Sequence, residues 1–162
     1  MVEFSKVTEY KAGIVFSLLR RSFAEIIDGV LEEKMREFDG AVFENIETVG
    51  ACAFVTILNG EAVGMVSWDS REGPELGVVG WNCVLPEFRG RGFGKMQIEE
   101  VLGRLKGEGF KRVVVRTGEH PFFAAARRMY VACGFREVRR SPTGDQEGYG
   151  TIDYEVRFGG GS

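Results

Sequence analysis

The chain has 162 residues, 44% hydrophobic and 28% charged, proportions that exclude a disordered, collagenous or coiled-coil polymer and predict a globular protein. No apolar stretch approaches the roughly 20 residues that span a bilayer, and the opening MVEFSKVTEY has no basic segment leading into an apolar one, so a cytoplasmic protein is expected, away from membranes. The formal net charge of −3 hides an asymmetry: residues 86–140 hold 13 Lys and Arg against 6 Asp and Glu, and the remainder hold 8 against 18. Solvated helix faces would give the same imbalance, so the position of the positive residues decides whether an anion is meant. Cys52, Cys83 and Cys133 are odd in number and widely spaced, and His120 is the only histidine; neither a disulfide framework nor a metal site is expected.

Taken in chain order, Val15, Leu18, Leu19, Phe23, Ile26 and Ile27 recur at spacings of three and four, and Leu31, Met35, Phe38, Val42 and Phe43 continue after Asp28-Gly29. Two helices are therefore predicted to open the protein. CAFVTIL and EAVGMVSWD flank Asn59-Gly60, a two-residue hairpin signal because both residues tolerate positive φ. LGVVGWNCVL then runs to Pro86 as a third strand. Ile98, Val101, Leu102 and Leu105 give a one-sided helix over 93–107, stopped by glycines. Lys111 to Thr117 reads as a buried strand, and Pro121 opens a helix through Cys133 that ends at Gly134. Strand, helix and strand from 77 to 117 make a βαβ unit, which is parallel. Strands over 135–141 and 151–158 close a single domain, 1–158, and the glycine-rich end, 159–162, is expected to be a flexible tail.

The segment between the third strand and its helix reads Pro86-Glu87-Phe88-Arg89-Gly90-Arg91-Gly92-Phe93-Gly94-Lys95. Alternate glycines let successive N–H groups turn to one side, and the helix start adds unpaired N–H groups and its positive dipole end. With Arg89, Arg91 and Lys95 beside it, this bend is a candidate phosphate cradle. It is not a Walker A loop, because Lys95 precedes Met96 and not Ser or Thr, and it lacks the GxGxxG spacing of a dinucleotide fold.

Arg89-x-x-Gly92-x-Gly94, preceded by VLPEF, and a second block about 35 residues later, Ala126-x-x-x-Tyr130 with Gly134-Phe135, resemble the GNAT superfamily of acyl-CoA-dependent N-acetyltransferases. The resemblance covers nearly the whole chain. It implies an α/β fold with a mostly antiparallel mixed sheet, parallel fourth and fifth strands that splay apart, and about four helices. It implies acetyl-CoA as acyl donor and an amine of a small molecule or protein as acceptor, and many members dimerise. Nucleic-acid binding through the basic half is a further option but is not expected, because basic and aromatic residues are not interleaved there and the net charge is negative. By resemblance, Arg89, Gly90, Arg91, Gly92, Phe93, Gly94 and Lys95 cradle the diphosphate of coenzyme A. Backbone groups of Cys83, Val84 and Leu85 would meet the pantetheine arm, with an N–H there polarising the thioester carbonyl. Tyr130 would protonate the leaving thiolate.

Two departures stand out. Phe123 replaces an asparagine that in many members holds the pantetheine arm, and Val78 occupies the place of a glutamate that serves some members as general base. Base candidates are Glu75, Glu119, His120 or a water held by Asn82. Trp68 and Trp81 are candidates for the acceptor pocket or for the core, and acidic residues between Glu25 and Asp39 favour a cationic acceptor. Without a strand acid, an acyl-CoA-binding sensor that has lost catalysis is the alternative.

Overall fold

The computed structural model describes residues 1–144 and 146–159; of the expected tail only Gly159 falls among them, and 160–162 lie outside the described residues. Strand β1 (Val2–Lys6) is followed by helices α1 (Ile14–Ser22) and α2 (Gly29–Glu44), and then by β2 (Ala53–Leu58), β3 (Glu61–Asp69) and β4 (Gly77–Val84). Helix α3 (Phe93–Gly107), β5 (Arg112–Gly118), α4 (Ala124–Ala132), β6 (Arg136–Ser141) and β7 (Thr151–Arg157) complete the order. The seven strands are ordered β1-β2-β3-β4-β5-β7-β6. β4 and β5 are parallel, and β1–β2, β2–β3, β5–β7 and β6–β7 are antiparallel. The expected mixed sheet with four α-helices is therefore present.

The element missing from the sequence reading is β1, which precedes the two expected helices. Only Val2 and Phe4 alternate with polar neighbours, and no residue of the strand is fully buried. Its conformation follows from pairing with β2, Val2↔Leu58 through Lys6↔Phe54, a long-range cause that a local pattern does not record. The helix expected to start at Pro121 begins instead as a 3₁₀ turn, Pro121–Phe123, before α4.

The chain forms two compact units. The first comprises Met1–Ser67 and Trp81–Gln97; the second comprises Trp68–Gly80 and the chain from Ile98 onward. In the first unit, Val15, Leu18 and Leu19 of α1, Met35 and Val42 of α2, and Phe54, Val55, Val63, Met65 and Val66 of the β2–β3 hairpin are essentially inaccessible. Helix α1 takes its N-terminal cap from another helix: the buried Asp39 carboxylate of α2 accepts from the N–H of Gly13 (3.0 and 3.1 Å) and of Phe16 (2.9 Å), satisfying donors that α1 cannot pair internally. Asp28 caps α2 in the local way, accepting from Leu31 N–H at 2.7 Å.

In the second unit, the α3 stripe of Ile98, Val101 and Leu105 is buried, as are Val113 and Val115 of β5 and Ile152 and Tyr154 of β7. β5 and β7 pair over seven residues, Arg112↔Arg157 to Gly118↔Thr151. Glu155 is only 6% exposed and accepts hydrogen bonds from Arg112 (3.0 Å) and Arg157 (2.7 Å). Burial pushes its carboxyl up, but the hydrogen bonds from Arg157 and Arg112 win and hold it below the usual value.

Candidate active site

In the first unit, the Pro86–Phe88 turn leads through Arg89–Gly92 into α3. Gly90 (φ 78°) and Gly92 (φ 84°) take the left-handed conformation that reverses the chain there. The Met96 N–H reaches the Gly92 carbonyl at 3.0 Å and begins the helical ladder. The amides of Phe93, Gly94 and Lys95 therefore precede it and have no acceptor within the helix. Phe93 is buried and packs edge-on against Phe88 at 6.5 Å, which fixes the bend. The Arg91 guanidinium lies 5.3 Å from the Phe88 ring centre, and Lys95 is exposed.

Arg89 is placed differently from its neighbours. Its guanidinium donates to the Ser22 carbonyl at the end of α1 and to the Val84 carbonyl (3.4 Å), and lies 3.5 Å from the Glu25 carboxylate. A cation on the last carbonyls of a helix complements the negative dipole end. Arg89 thus fastens α1 to the bend, beside the Arg21–Glu87 pair at 3.3 Å.

Pairing of β4 with β5 ends at Val79↔Val115, while β4 continues to Val84. N–H groups alternate from one edge of a strand to the other. Leu85 N–H donates to the Val63 carbonyl of β3 at 2.8 Å, and Trp81 N–H donates to the Ser67 hydroxyl of β3 at 2.9 Å. The Cys83 amide, between them in phase, shares that edge. The amides of Asn82 and Val84 face the opposite one. Of the three residues singled out for the pantetheine arm, Val84 presents its N–H to the open edge, Leu85 has spent its own, and Asn82 joins the set. The Cys83 thiol is buried, and burial pushes it up to about 11 against the opposing influence of the Ser22 side chain, a Met65 backbone hydrogen bond and the Arg89 charge. It stays protonated near neutrality and is no nucleophile.

Sequence reasoning missed the polar centre of this unit, Gln97, which has no exposed surface. Its Nε2 donates to the carbonyls of Met65 (3.2 Å) and Cys83 (3.2 Å) and to Asn82 Oδ1 (2.6 Å), while its Oε1 accepts from the Thr56 hydroxyl (2.7 Å). The first turns of α3 are thereby joined to β2, β3 and β4. Gly64 makes room for this: a Cβ there would lie 2.4 Å from the Cys83 carbonyl oxygen and 2.6 Å from Gln97 Oε1. Signals were present in Gln97, four residues before the buried Val101, and in Thr56, the one polar residue within CAFVTIL besides the thiol of Cys52. Trp81 packs against Phe23 (6.0 Å) and Phe38 (6.4 Å).

In the second unit, Tyr130 of α4 is 5% exposed, with its ring 5.7 Å from Phe135 and 6.2 Å from Tyr154. Phe123 stands edge-on to Phe122 at 5.1 Å and covers Gly118 at the end of β5, so apolar packing occupies the position of the expected asparagine. Arg127 fixes the entry to α4 by donating to the carbonyls of Gly118 (2.7 Å) and His120 (3.2 Å). The three side-chain base candidates are engaged. His120 Nδ1 accepts from Phe122 N–H at 3.0 Å, the cap of the 3₁₀ turn; Glu75 pairs with Lys111 at 2.7 Å and Glu119 lies 3.8 Å from Arg140. Trp68 lies under the Arg104 guanidinium at 5.8 Å. Among the described residues no three His, Cys, Asp or Glu gather as metal ligands, and no helix is long and apolar enough to cross a membrane.

The glycine bend into α3 thus lies at the end of a strand that runs past its last parallel partner. The model of the acetyltransferase (GNAT) family matches residues 15–135, and the chain belongs to that family. A curated relative, the N-acetylaspartate synthetase of Danio rerio, is 27% identical over 126 residues, which cover 78% of this chain but only 43% of that protein. Among solved structures, a GNAT-family acetyltransferase from Desulfovibrio desulfuricans matches with a TM-score of 0.78 at 14% identity, over 97% of this chain and 98% of that one. The ribosomal-protein-S18-alanine N-acetyltransferase of Escherichia coli matches with a TM-score of 0.73 at 17% identity, over 97% and 94%. A Bacillus anthracis protein described as a streptothricin acetyltransferase, solved with acetyl coenzyme A, matches with a TM-score of 0.57 at 16% identity, over 65% and 61%. These structural likenesses show the fold.

Proposed function

We propose that this chain transfers an acetyl or other short acyl group from acetyl-CoA to a primary amine by direct attack. The observation that carries the reading is the pairing, within one unit, of unspent α3 amides at the Arg89–Lys95 bend with the outward amides of Asn82 and Val84. The bend would hold the diphosphate, with Gly90 to Lys95 supplying main-chain donors and Arg91 and Lys95 supplying charge. Arg89 would act there through its backbone and through the helix it fastens. The pantetheine arm would lie along β4, its carbonyls meeting the Asn82 and Val84 N–H groups, one of which would stabilise the oxyanion as it forms.

The amine nitrogen attacks the thioester carbonyl to give a tetrahedral adduct with a positively charged nitrogen; that nitrogen releases a proton to solvent as the C–S bond breaks and the neutral amide forms, the leaving thiolate takes a proton from Tyr130, and solvent reprotonates the Tyr130 phenolate. A phenol is a competent general acid toward an alkyl thiolate. No side chain is assigned as base, since an amine that arrives neutral needs none and orientation supplies most of the gain. The matched proteins are named for N-acetylaspartate, a ribosomal-protein alanine and streptothricin, so the acceptor class is kept at a small-molecule or protein amine. The acidic stretch from Glu25 to Asp39 would favour a cationic one, with Trp81 beside it, and the active form would be a monomer or a homodimer.

Acetyl-CoA titration by calorimetry followed by thiol release with a panel of amines tests the reading. Binding with acceptor-dependent thiol release supports transfer. Binding without release from any amine points to the sensor, and absence of binding removes both.

A further inference from the structure

Resting on the acyl-CoA reading, we propose that the Asn82 side-chain amide is a fixed hydrogen-bond donor to a carbonyl oxygen of the acyl-pantetheine arm, and that buried Gln97 is the positioning residue that sets its direction. The direction follows from acceptor chemistry. Gln97 Nε2 lies 3.2 Å from each of two main-chain carbonyl oxygens, those of Met65 and Cys83, which accept and never donate. That end of the Gln97 amide is therefore NH₂, and the Thr56 hydroxyl completes its oxygen at 2.7 Å. Asn82 must then present Oδ1 to Gln97, at 2.6 Å, which leaves the two N–H bonds of its Nδ2 turned away from the buried network. Asn82 is half-buried and stands on the stretch of β4 that runs past its last β5 partner. Its main-chain N–H lies on the edge of β4 away from β3, and its side chain rises from the face on which Gln97 lies, so one residue offers a main-chain and a side-chain donor beside the unpaired part of the strand. An apolar residue would serve a plain core position at 82 or 97 better, because burying an amide network is costly unless it is complete.

Asn82→Asp separates the two roles of the side chain, since it keeps an oxygen for Gln97 and removes the donor. With thermal stability near that of the wild type, this variant should lose about tenfold or more in kcat/KM for acetyl-CoA. The free coenzyme identifies the carbonyl: weakened CoA binding points to a pantetheine amide, and unchanged CoA binding with lowered kcat points to the thioester. Gln97→Met keeps the volume and releases Asn82. It should also lower kcat/KM, and the double variant should lose less than the two single losses combined. Independently of any variant, the Asn82 side-chain NH₂ resonances of the wild type should move on saturation with acetyl-CoA. Full activity in a folded Asn82→Asp, additive losses in the double variant, or unmoved resonances would each overturn the assignment while leaving acyl transfer in place. A wild type that binds no acetyl-CoA would overturn both.

Discussion

The surroundings of Gln97 and the β5, β6 and β7 strands answer their polar groups in opposite ways. Around Gln97 the first unit buries neutral amides, hydroxyl and carbonyls, each answered by another neutral group, next to the bend and the open edge of β4. The second unit lays arginine–carboxylate pairs across β5, β6 and β7: Arg112 and Arg157 on Glu155, Arg116 on Asp153 at 2.7 Å, Arg140 on Glu137. Neutral networks are indifferent to pH and salt but intolerant of any missing partner. Ion pairs with exposed arginines tolerate substitution and are screened by salt. Precision is thus concentrated where the acyl carrier is proposed to lie.

The largest expected effect breaks the first unit's function and leaves the second unit intact. Gly92→Val puts a β-branched residue at φ 84° on the bend, where a Cβ would meet nothing nearer than the Met96 methyl at 3.9 Å. Space is available, so the fold should survive with a backbone cost of about 1–3 kcal/mol. The side chain would, however, stand where the diphosphate is proposed to sit. Calorimetry should show acetyl-CoA affinity reduced by more than about 100-fold, equivalent to roughly 2.7 kcal/mol, and retained affinity in a folded variant would remove the cradle.

Gly64→Ala strikes the network itself. The added methyl would lie 2.4 Å from main chain and 2.6 Å from Gln97 Oε1, so either β4 shifts or Gln97 leaves its partners. Loss of about 3 kcal/mol in urea unfolding is expected, from overpacking and from buried groups left unpaired. A loss below about 0.5 kcal/mol would mean the network is looser than its distances. Tyr130→Phe tests the proposed reacting group of the second unit. With its ring contacts to Phe135 and Tyr154 kept, turnover should fall about 10- to 100-fold with little change in acetyl-CoA affinity, and wild-type turnover would end the acid role.

The same contrast explains what was legible in the chain. Periodicity marked α1 to α3 and apolar runs marked β2 to β5, because each carries its signal locally, Pro121 and Gly134 bounded α4, and Gly90, Gly92 and the arginines around them marked the bend; β6, whose residues are almost all exposed, carries no such stripe. What escaped depends on partners distant in sequence. β1 is a strand because β2 pairs with it. Asp39 looks like one more acid on a helix until it meets the N-terminus of α1. Gln97 is polar in composition but core in position, and its bonds span up to 41 residues to Thr56. The Arg89 side chain, in a motif that suggests phosphate, reaches 67 residues back to the Ser22 carbonyl.

The smallest effect sharpens the comparison by pH. Glu155 and Asp153 both sit below the usual carboxylate value in the folded chain: in Glu155 burial opposes the shift and the Arg157 and Arg112 hydrogen bonds outweigh it, while for Asp153 the Arg116 hydrogen bond leads. A carboxyl whose folded value is depressed contributes stability that is complete above its unfolded value, about 3.9–4.3, and is lost as pH falls through the folded one. Stability should therefore be flat from pH 7 to about 5 on account of these groups and decline below about 4. Glu155→Gln should cost about 1–2 kcal/mol at pH 7, discounted because the Arg112 and Arg157 side chains are 37% and 64% exposed. The gap between the variant and the wild type should narrow as pH falls below about 4. Gln97→Met should lose the same increment at both pH values, since nothing it touches in the network titrates in that range. Urea unfolding of the three proteins at pH 7 and near pH 2 reads this directly, and a Glu155→Gln deficit that persisted undiminished in acid would show that packing, not charge, holds the second unit's strands together.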